Sequence, residues 1–317
     1  MEVNDRVKNT TYGDIKKPGG GTGGGTGGGT TFGRLPGIAA KAITGLFLFL
    51  TLAPFFMMLS ISLQSDAEIY SSSLVLLPSS PRFSNYSGAM ASGDWARYFL
   101  NSIYVTVVVT AVSLLINSMA GYVFARIPFK FSDALFILIL IGMMIPVQTT
   151  MIPVYLMLRQ VPLAGGNDLL GQGGRGLYDS LGGLILPFIA GSFGVFLCRQ
   201  YYLSFPIELD DAARIDGCGK FGAFVRVYMP LSGPLFASLG LLKFTGTWSE
   251  YTWPLIMTRS DSMKTVQLAL AAFRNESGIE WGKLMAASIL TGMPVYALFF
   301  AAQKQFVAGL TAGSIKG

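Results

Sequence analysis

The chain contains six runs of mainly apolar residues, and each run is long enough to cross a lipid bilayer. A spanning helix needs about 20 such residues. Charged residues make up only 13% of the sequence, against about 25% in soluble domains, because a surface that faces lipid holds few charges. We therefore predict an all-α membrane protein with six transmembrane helices. The predicted spans are Ile38–Leu63, Tyr98–Ala125, Ala134–Leu158, Leu181–Tyr202, Tyr228–Met257 and Leu284–Phe306.

Composition excludes several kinds of catalytic and metal site. The chain has no histidine, so histidine catalysis and histidine-ligated metals are ruled out. Its two cysteines lie in different settings, Cys198 at the end of an apolar run and Cys218 in a charged stretch, so we predict no disulfide framework. No phosphate-binding loop of the form G-x-x-x-x-G-K-S/T occurs. We predict no catalytic residue, no metal site and no cofactor bound by this chain.

The ends of the chain and the breaks within the runs suggest its organisation. Residues 1–34 are polar and rich in Gly and Thr near their end, which predicts a flexible cytosolic tail before a transmembrane domain over residues 35–317. Several runs contain prolines, such as Pro146 and Pro153 in the third. Prolines are tolerated where neighbouring helices satisfy the freed backbone groups. These breaks favour a bundle that lines a path over a simple anchor.

Lysine and arginine predict the orientation of the spans. With both termini in the cytosol, the cytosolic segments hold 14 of the 23 basic residues and the outer segments hold 8, while Lys243 falls within the fifth span. The positive-inside rule therefore favours a multi-pass protein of the plasma (inner) membrane with both termini cytoplasmic. This orientation places the segment Ser204–Pro230 in the cytosol, between spans four and five.

The segment Ser204–Pro230 does not match its apolar surroundings. It carries four acidic residues, three basic residues and three glycines. We predict a short helix over about residues 204–222, with Ser204 as its N-cap and acidic residues near the positive end of its dipole. Gly217 should end the helical turn, and we expect it to adopt a positive φ angle.

The predicted helix has one face of small residues. Ala is small enough to let a helix backbone approach another surface closely. Asp210 and Arg214 are spaced i,i+4 and should pair on its surface. Two interpretations stay open: a helix that docks onto a soluble partner, and an amphipathic loop on the inner leaflet. The face comprises Leu209, Ala212, Ala213 and Asp216.

The same segment resembles the E-A-A-x3-G-x9-I-x-L-P motif of ABC importer permeases, with Asp for Glu, Val for Ile and Met for Leu. The string "ELDDAARIDGCGKF" is similar to the carbohydrate branch, the maltose-type permeases, as are "GYVFARIPFK", "TWSEYTWPLIM" and "QFVAGLTAGSIKG". The resemblance runs from about residue 38 to the end. The motif positions are Asp211, Ala212, Ala213, Gly217, Val227, Met229 and Pro230.

The resemblance implies a fold, a function and partners. The fold is that of a type I ABC importer permease, and the charged helix is its coupling helix, which sits in a cleft of a separate ATPase subunit. ATP and Mg would be bound by that partner. The other implied partners are a second homologous permease, a second ATPase copy and an extracytoplasmic sugar-binding protein. The implied coupling residues are Asp210, Asp211, Ala212, Ala213, Arg214, Asp216 and Gly217.

A sugar path needs polar groups and aromatic faces, because sugars present hydroxyls and apolar ring faces. In the fifth span, Glu250 is a candidate because an ionisable group within a span is often functional. Trp248, Tyr251 and Trp253 surround it in the sequence. The alternative is an interfacial belt with Glu250 at the outer mouth. Gln148 in the third span is a second candidate. For Lys243 two interpretations stay open, snorkelling and pairing with a buried acid.

The predicted function is therefore the permease subunit of an ATP-driven carbohydrate importer. It would form half of a translocation path and couple that path to a separate ATPase. One alternative is an importer of the same superfamily for another solute such as glycerol phosphate, which would require a basic cavity. A membrane-embedded enzyme would need clustered acids, histidines or cysteines near the interface, and the sequence offers none.

Overall fold

A computed structural model describes residues 37–275 and 278–312 of the chain. The described residues are mostly helical, which confirms the predicted all-α class. Contacts divide the chain into two compact units, Met1–Leu52 and Ala53–Gly317. The tail predicted over residues 1–34 lies outside the described residues.

The elements follow one another in chain order. The α-helices are α1 (Gly37–Ser62), α2 (Asp66–Ile69), α3 (Ser84–Ala91), α4 (Trp95–Arg126), α5 (Ser132–Met144), α6 (Val147–Arg159), α7 (Leu181–Ile185), α8 (Ser192–Leu203), α9 (Glu208–Ile215), α10 (Lys220–Ala223), α11 (Met229–Leu231), α12 (Gly233–Trp248), α13 (Thr252–Met257), α14 (Val266–Leu270) and α15 (Trp281–Ala312). Three 3-10 turns and a π-helical turn are Leu186–Phe188, Asp261–Met263, Ala271–Phe273 and Phe224–Tyr228. The strands β1 (Arg274–Asn275) and β2 (Gly278–Ile279) form an antiparallel hairpin.

Three helices are individually long and apolar enough to cross a membrane, namely α1, α4 and α15. Three pairs pass the same test only together, because each is bent at a short break. The bends are 105° between α5 and α6, 43° between α7 with its 3-10 turn and α8, and 78° between the α10–α11 region and α12. By length and composition the described chain therefore has three candidate spans, or up to six if each bent pair is one span. The sharpest bend lies at Pro146, which caps α6 and has no backbone N–H to donate.

The described part of the first unit is residues 37–52, the N-terminal part of α1. Its side chains are mostly exposed, including large apolar ones such as Phe47 and Phe49. A helix that is apolar all round is typical of a membrane span.

In the second unit, α4 packs most extensively against α8, and glycines make the approach close. A Cβ atom added at Gly121 of α4 would lie 2.4 Å from Cβ of Cys198. A Cβ atom added at Gly194 of α8 would lie 2.3 Å from the amide nitrogen of Asn117. Small residues at such seams are typical of helices that pack in membranes. The two helices therefore interlock in both directions.

Three hydrophobic clusters follow α4 along its length. The first surrounds Trp95 and Tyr98 and includes Trp248 from α12. The second contains Val105 and Val109 of α4, and the third contains Tyr122 with aromatic residues of α8 and the π-helical turn. We call the two ends of this helix the Trp95 end and the Arg126 end. The residues at the two ends of α4 each contact a different set of loops.

Candidate functional site

The charged segment after α8 folds as a short helix between two turns. α9 has three acidic residues in its first turn and Arg214 in its last, as the helix dipole favours. It is shorter than the predicted helix over 204–222, because Ser204 caps the C-terminus of α8 instead of starting a new helix. Gly217 and Gly219 then separate α9 from α10.

α9 presents an exposed surface and a buried one. Asp211, Ala212 and Ile215 are exposed, and Ile215 retains 86% of its accessible surface. Ala213 is buried, with only 3% of its surface accessible. The two alanines, predicted on one face, therefore lie in different environments: Ala212 is open to a partner and Ala213 packs within this chain.

Asp210 turns towards the protein, where its carboxylate is held by two side chains. Arg126 donates to one carboxylate oxygen at 3.3 Å and the hydroxyl of Tyr228 donates to the other at 2.9 Å. The predicted Asp210–Arg214 pair does not form, because the inward turn of Asp210 leaves Arg214 to contact Asp211, at 3.8 Å on the surface.

Arg126 is the centre of this arrangement, and its side chain is only 8% exposed. Besides Asp210, its guanidinium donates to the backbone carbonyl of Tyr202 at 2.7 Å and to that of Phe205. It also lies over the ring of Tyr228, 5.5 Å from the centroid. We call these five residues the Arg126 cluster. Because its members come from α4, α8, the turn after α8, α9 and the π-helical turn, it ties α9 to the ends of longer helices.

Gly217 lies directly after the C-cap of α9, Asp216, which is exposed. Its φ angle is +74°, so the predicted positive φ is confirmed. No other group lies within 4 Å of the position that a Cβ atom would occupy there. Glycine is required at this turn by backbone conformation and not by space.

A cavity of about 360 Å³ between α6 and α12 brings together two predicted path residues, Gln148 and Glu250. Lys243 and Thr247 also line it, as does the ring of Phe188. Lys243 lies within α12 and Glu250 lies two residues after its end, and both line the cavity. The cavity therefore combines an amide, an ammonium, a carboxylate, a hydroxyl and an aromatic ring.

The aromatic residues around Glu250 occupy different places. Trp248 and Trp253 are buried in the first and second hydrophobic clusters, and their indole N–H groups donate at 3.0 Å to the carbonyls of Thr291 and Gly183. Tyr251 is exposed and lines a separate cavity of about 580 Å³. Neither tryptophan is among the residues that line the 360 Å³ cavity. The role of all these residues in a sugar path stays a prediction.

At the Trp95 end, the carboxylate of Asp179 joins two loops. One of its oxygens accepts hydrogen bonds from the backbone N–H groups of Arg259 and Ser260, at 2.9 and 3.0 Å, and from the Ser260 hydroxyl at 2.9 Å. Burial raises the pKa of the Asp179 carboxyl, but these hydrogen bonds and the charge of Arg175 outweigh it, so the net pKa lies below its usual value.

Asp261 makes a second connection at this end. Its carboxylate contacts the ammonium of Lys264 at 2.7 Å and accepts a hydrogen bond from the Tyr98 hydroxyl at 2.7 Å. These two partners lower the pKa of the Asp261 carboxyl. Asn101 of α4 donates to the carbonyls of Ser262 and Lys264 in the same loop. The loop after α13 is thus fixed to the N-terminal part of α4.

Sequence reasoning did not single out Arg126, Tyr228, Asp179 or Asp261. It treated Arg126 as one more basic residue at the end of a span. Its partner Asp210 lies 84 positions away in the chain, and no local pattern links them. Among the described residues, no group of three or more acidic or cysteine side chains could hold a metal ion.

Residues 117–311, more than half of the chain, match the family described as "Binding-protein-dependent transport system inner membrane component". The matched range includes α9, the Arg126 cluster and the 360 Å³ cavity. The chain belongs to this family. It is therefore a permease subunit of an ABC importer and not an enzyme, and ATP hydrolysis is carried out by a separate subunit, as the resemblance implied.

Two curated relatives named as sugar transport permeases match this chain over nearly their whole length. The arabinooligosaccharides transport system permease protein AraQ of Bacillus subtilis is 35% identical over 282 residues, covering 87% of this chain and 95% of the relative. The lactose transport system permease protein LacG of Rhizobium radiobacter is 32% identical and covers 89% and 97%.

The fold is also similar to a solved structure. A chain of a bacterial ABC transporter involved in the import of the acidic polysaccharide alginate superimposes with a TM-score of 0.73 at 24% identity. The match covers 85% of this chain and 96% of that one. At this identity the likeness shows the shared fold alone.

Proposed function

We propose that this permease forms one half of a carbohydrate path and that α9 is the helix through which a separate ATPase moves it. The relatives named for arabinooligosaccharides and lactose support a carbohydrate cargo. One structural observation carries the coupling role. The Arg126 cluster joins α9 to long helices while Asp211, Ala212 and Ile215 remain exposed to a partner.

The geometry supports a simple route for force. A partner that grips the exposed side of α9 would displace Asp210, and Arg126 would carry that displacement to the C-terminus of α4. Because the Arg126 guanidinium donates to two backbone carbonyls as well as to a carboxylate, its position is fixed from more than one direction. ATP-driven closure of the partner would then rock the helices between inward and outward states, the usual logic of alternating access.

The proposed assembly contains this chain, a second homologous permease, two ATPase copies and an extracytoplasmic sugar-binding protein. ATP and Mg would reside on the ATPases. A solved alginate transporter of the same fold is described in complex with a periplasmic protein bound to an alginate pentasaccharide, which supports the last partner. In this assembly each bent helix pair crosses the membrane once, giving six spans, and the Arg126 end faces the cytosol.

The coupling role can be tested with a bulky residue on the exposed side of α9. In Ala212→Trp the permease should keep its thermal stability, because the side chain points away from the core. It should lose the ATPase subunits on affinity purification, since overpacking a close contact costs about 1–3 kcal/mol. Ser204→Trp is the matched control, because Ser204 is exposed at the same end but outside α9. Equal ATPase retention by both variants would contradict the proposal.

The orientation can be tested with single cysteines in a chain that lacks Cys198 and Cys218. Ser87 and Lys220 are both exposed and lie near opposite ends of α4. In intact cells, an impermeant thiol reagent should label Ser87→Cys and should label Lys220→Cys only after the membrane is opened. The reverse pattern would contradict both the orientation and the cytosolic position of α9.

A further inference from the structure

Lys243 lies within a helix pair that is apolar enough to cross a membrane, and it lines the 360 Å³ cavity. The side chain is half-buried. Among the residues that the structure describes, it forms no hydrogen bond or ion pair. Its ammonium lies beside Gly191, 4.0 Å from where a Cβ atom would be, so no side chain covers it from that direction. An ionisable group in such a position is a candidate for ligand binding.

Glu250 is the only acidic residue that lines this cavity, and it is not positioned to neutralise Lys243. Lys243 lies within α12, Glu250 lies two residues after the end of that helix, and among the described residues no N–O distance within 4.0 Å joins the two side chains. The Glu250 carboxylate instead accepts a hydrogen bond from the backbone N–H of Trp253, at 2.9 Å. The cavity is therefore polarised, with a positive end at Lys243 and a negative end at Glu250.

We infer that this cavity recognises a carbohydrate that carries an anionic group, such as a uronic acid, with the anion bound at Lys243. The inference rests on the proposed function and adds the class of sugar. The amide of Gln148 and the carboxylate of Glu250 suit neutral hydroxyls, and the ring of Phe188 suits an apolar sugar face. A volume of about 360 Å³ falls within the range of small-ligand sites. An anionic ligand supplies the counter-charge that the described residues do not.

The first test measures binding to the assembled transporter in nanodiscs without the sugar-binding protein, which would impose its own specificity. The probes are trisaccharides of galacturonic, glucuronic and mannuronic acid, each paired with its neutral methyl ester, and glycerol 3-phosphate. Equilibrium dialysis should show the best acid binding about tenfold more tightly than its ester. Lys243→Gln should bring that ratio close to one, and Lys243→Arg should keep most of it. Glu250→Gln should leave the acid preferred.

The second test reads the charge of the cavity without any sugar. Val147 lines the same cavity, so Val147→Cys can react with a negatively charged sulfonatoethyl or a positively charged trimethylammonium-ethyl methanethiosulfonate. Mass spectrometry of the labelled peptide gives the two rates. Lys243→Gln removes a local positive potential. It should therefore lower the ratio of the reaction rate of the negative reagent to that of the positive reagent by about threefold or more. Thr247→Val, a neutral change in the same lining, should leave the ratio unchanged.

The outcomes separate this inference from the proposed function. Esters that bind as tightly as acids, or a reagent ratio that ignores Lys243→Gln, would overturn the anionic class while leaving a sugar path intact. Failure of every sugar to bind would remove the proposed sugar path and this inference together. Binding of glycerol 3-phosphate alone, lost in Lys243→Gln, would keep the anion site and overturn the carbohydrate.

Discussion

The two ends of α4 both rely on aspartate side chains, but they use them differently. At the Arg126 end, Asp210 is held by the guanidinium of Arg126 and the hydroxyl of Tyr228, and both charged side chains are largely buried. At the Trp95 end, Asp179 accepts hydrogen bonds from two backbone N–H groups of the loop after α13, and Asp261 contacts the Tyr98 hydroxyl of α4 and the ammonium of Lys264. Both ends bridge residues that are far apart in the chain. They differ in the basic partner, which is buried at the Arg126 end, where Arg126 is 8% exposed, and more exposed at the Trp95 end, where Arg175 is 64% and Lys264 34% exposed.

This difference in burial predicts how each end responds when one of its contacts is lost. A buried charge pair that loses one partner leaves an uncompensated charge, so the Arg126 end should resist partial opening. A loop joined through backbone N–H groups can lose one bond and retain its neighbours. We therefore expect a displacement of α9 to reach α4 directly through the Arg126 end, whereas a single hydrogen bond at the Trp95 end can break without leaving a buried cation unpaired.

The largest effect should come from Arg126→Met. The substitution introduces an apolar side chain of similar length and leaves the Asp210 carboxylate without its cationic partner. Such a change typically lowers the free energy of unfolding by about 3–5 kcal/mol. Arg214→Met is the matched control, because Arg214 pairs with Asp211 on the surface and should cost less than about 1 kcal/mol. Size-exclusion profiles after heating would report the two melting temperatures. Similar losses in both variants would show that the buried pair of Arg126 and Asp210 stabilises the protein no more than the surface pair of Arg214 and Asp211.

A smaller effect is expected at the turn that follows α9. Gly217→Val forces a β-branched residue into a positive φ, which should cost about 1–2 kcal/mol. Gly219→Val is the control, because Gly219 has a φ of −69° and equally open surroundings. We expect Gly217→Val to reduce ATPase retention and stimulated hydrolysis in liposomes while Gly219→Val keeps both. Equal behaviour would show that the turn conformation is unimportant for coupling.

The smallest effect should come from Asp179→Asn, which keeps an acceptor oxygen but removes the charge, at a cost of about 1 kcal/mol. Because folding lowers the pKa of the Asp179 carboxyl, its stabilisation is present above the unfolded pKa and is lost as the pH falls through the folded pKa. The gap in melting temperature between wild type and Asp179→Asn should therefore close below about pH 4. If the difference in melting temperature instead grew on acidification, the lowered pKa of Asp179 in the folded protein would be contradicted.

The apolar helices and the positive φ at Gly217 could be predicted because their signals are local. A run of apolar residues implies a membrane helix wherever it occurs, and a glycine after a short polar helix implies a positive φ, as Gly217 has. The Arg126–Asp210 pair could not be predicted, because its members are distant in sequence and either could have faced solvent. The helical period grouped Ala212 with Ala213, but only packing decides which of two adjacent residues is buried.

The length of α4 would amplify a small rotation at the Arg126 end into a larger displacement at the Trp95 end. Its 32 residues extend about 48 Å at 1.5 Å per residue. Interlocking at Gly121 and Gly194 prevents α8 from sliding along it, so the two helices should tilt as one lever. A tilt of about 5° around the Arg126 end would displace the Trp95 end by about 4 Å over that length. Under the proposed coupling, a rotation of a few degrees applied through α9 would therefore become a displacement of several ångströms at the opposite end of α4.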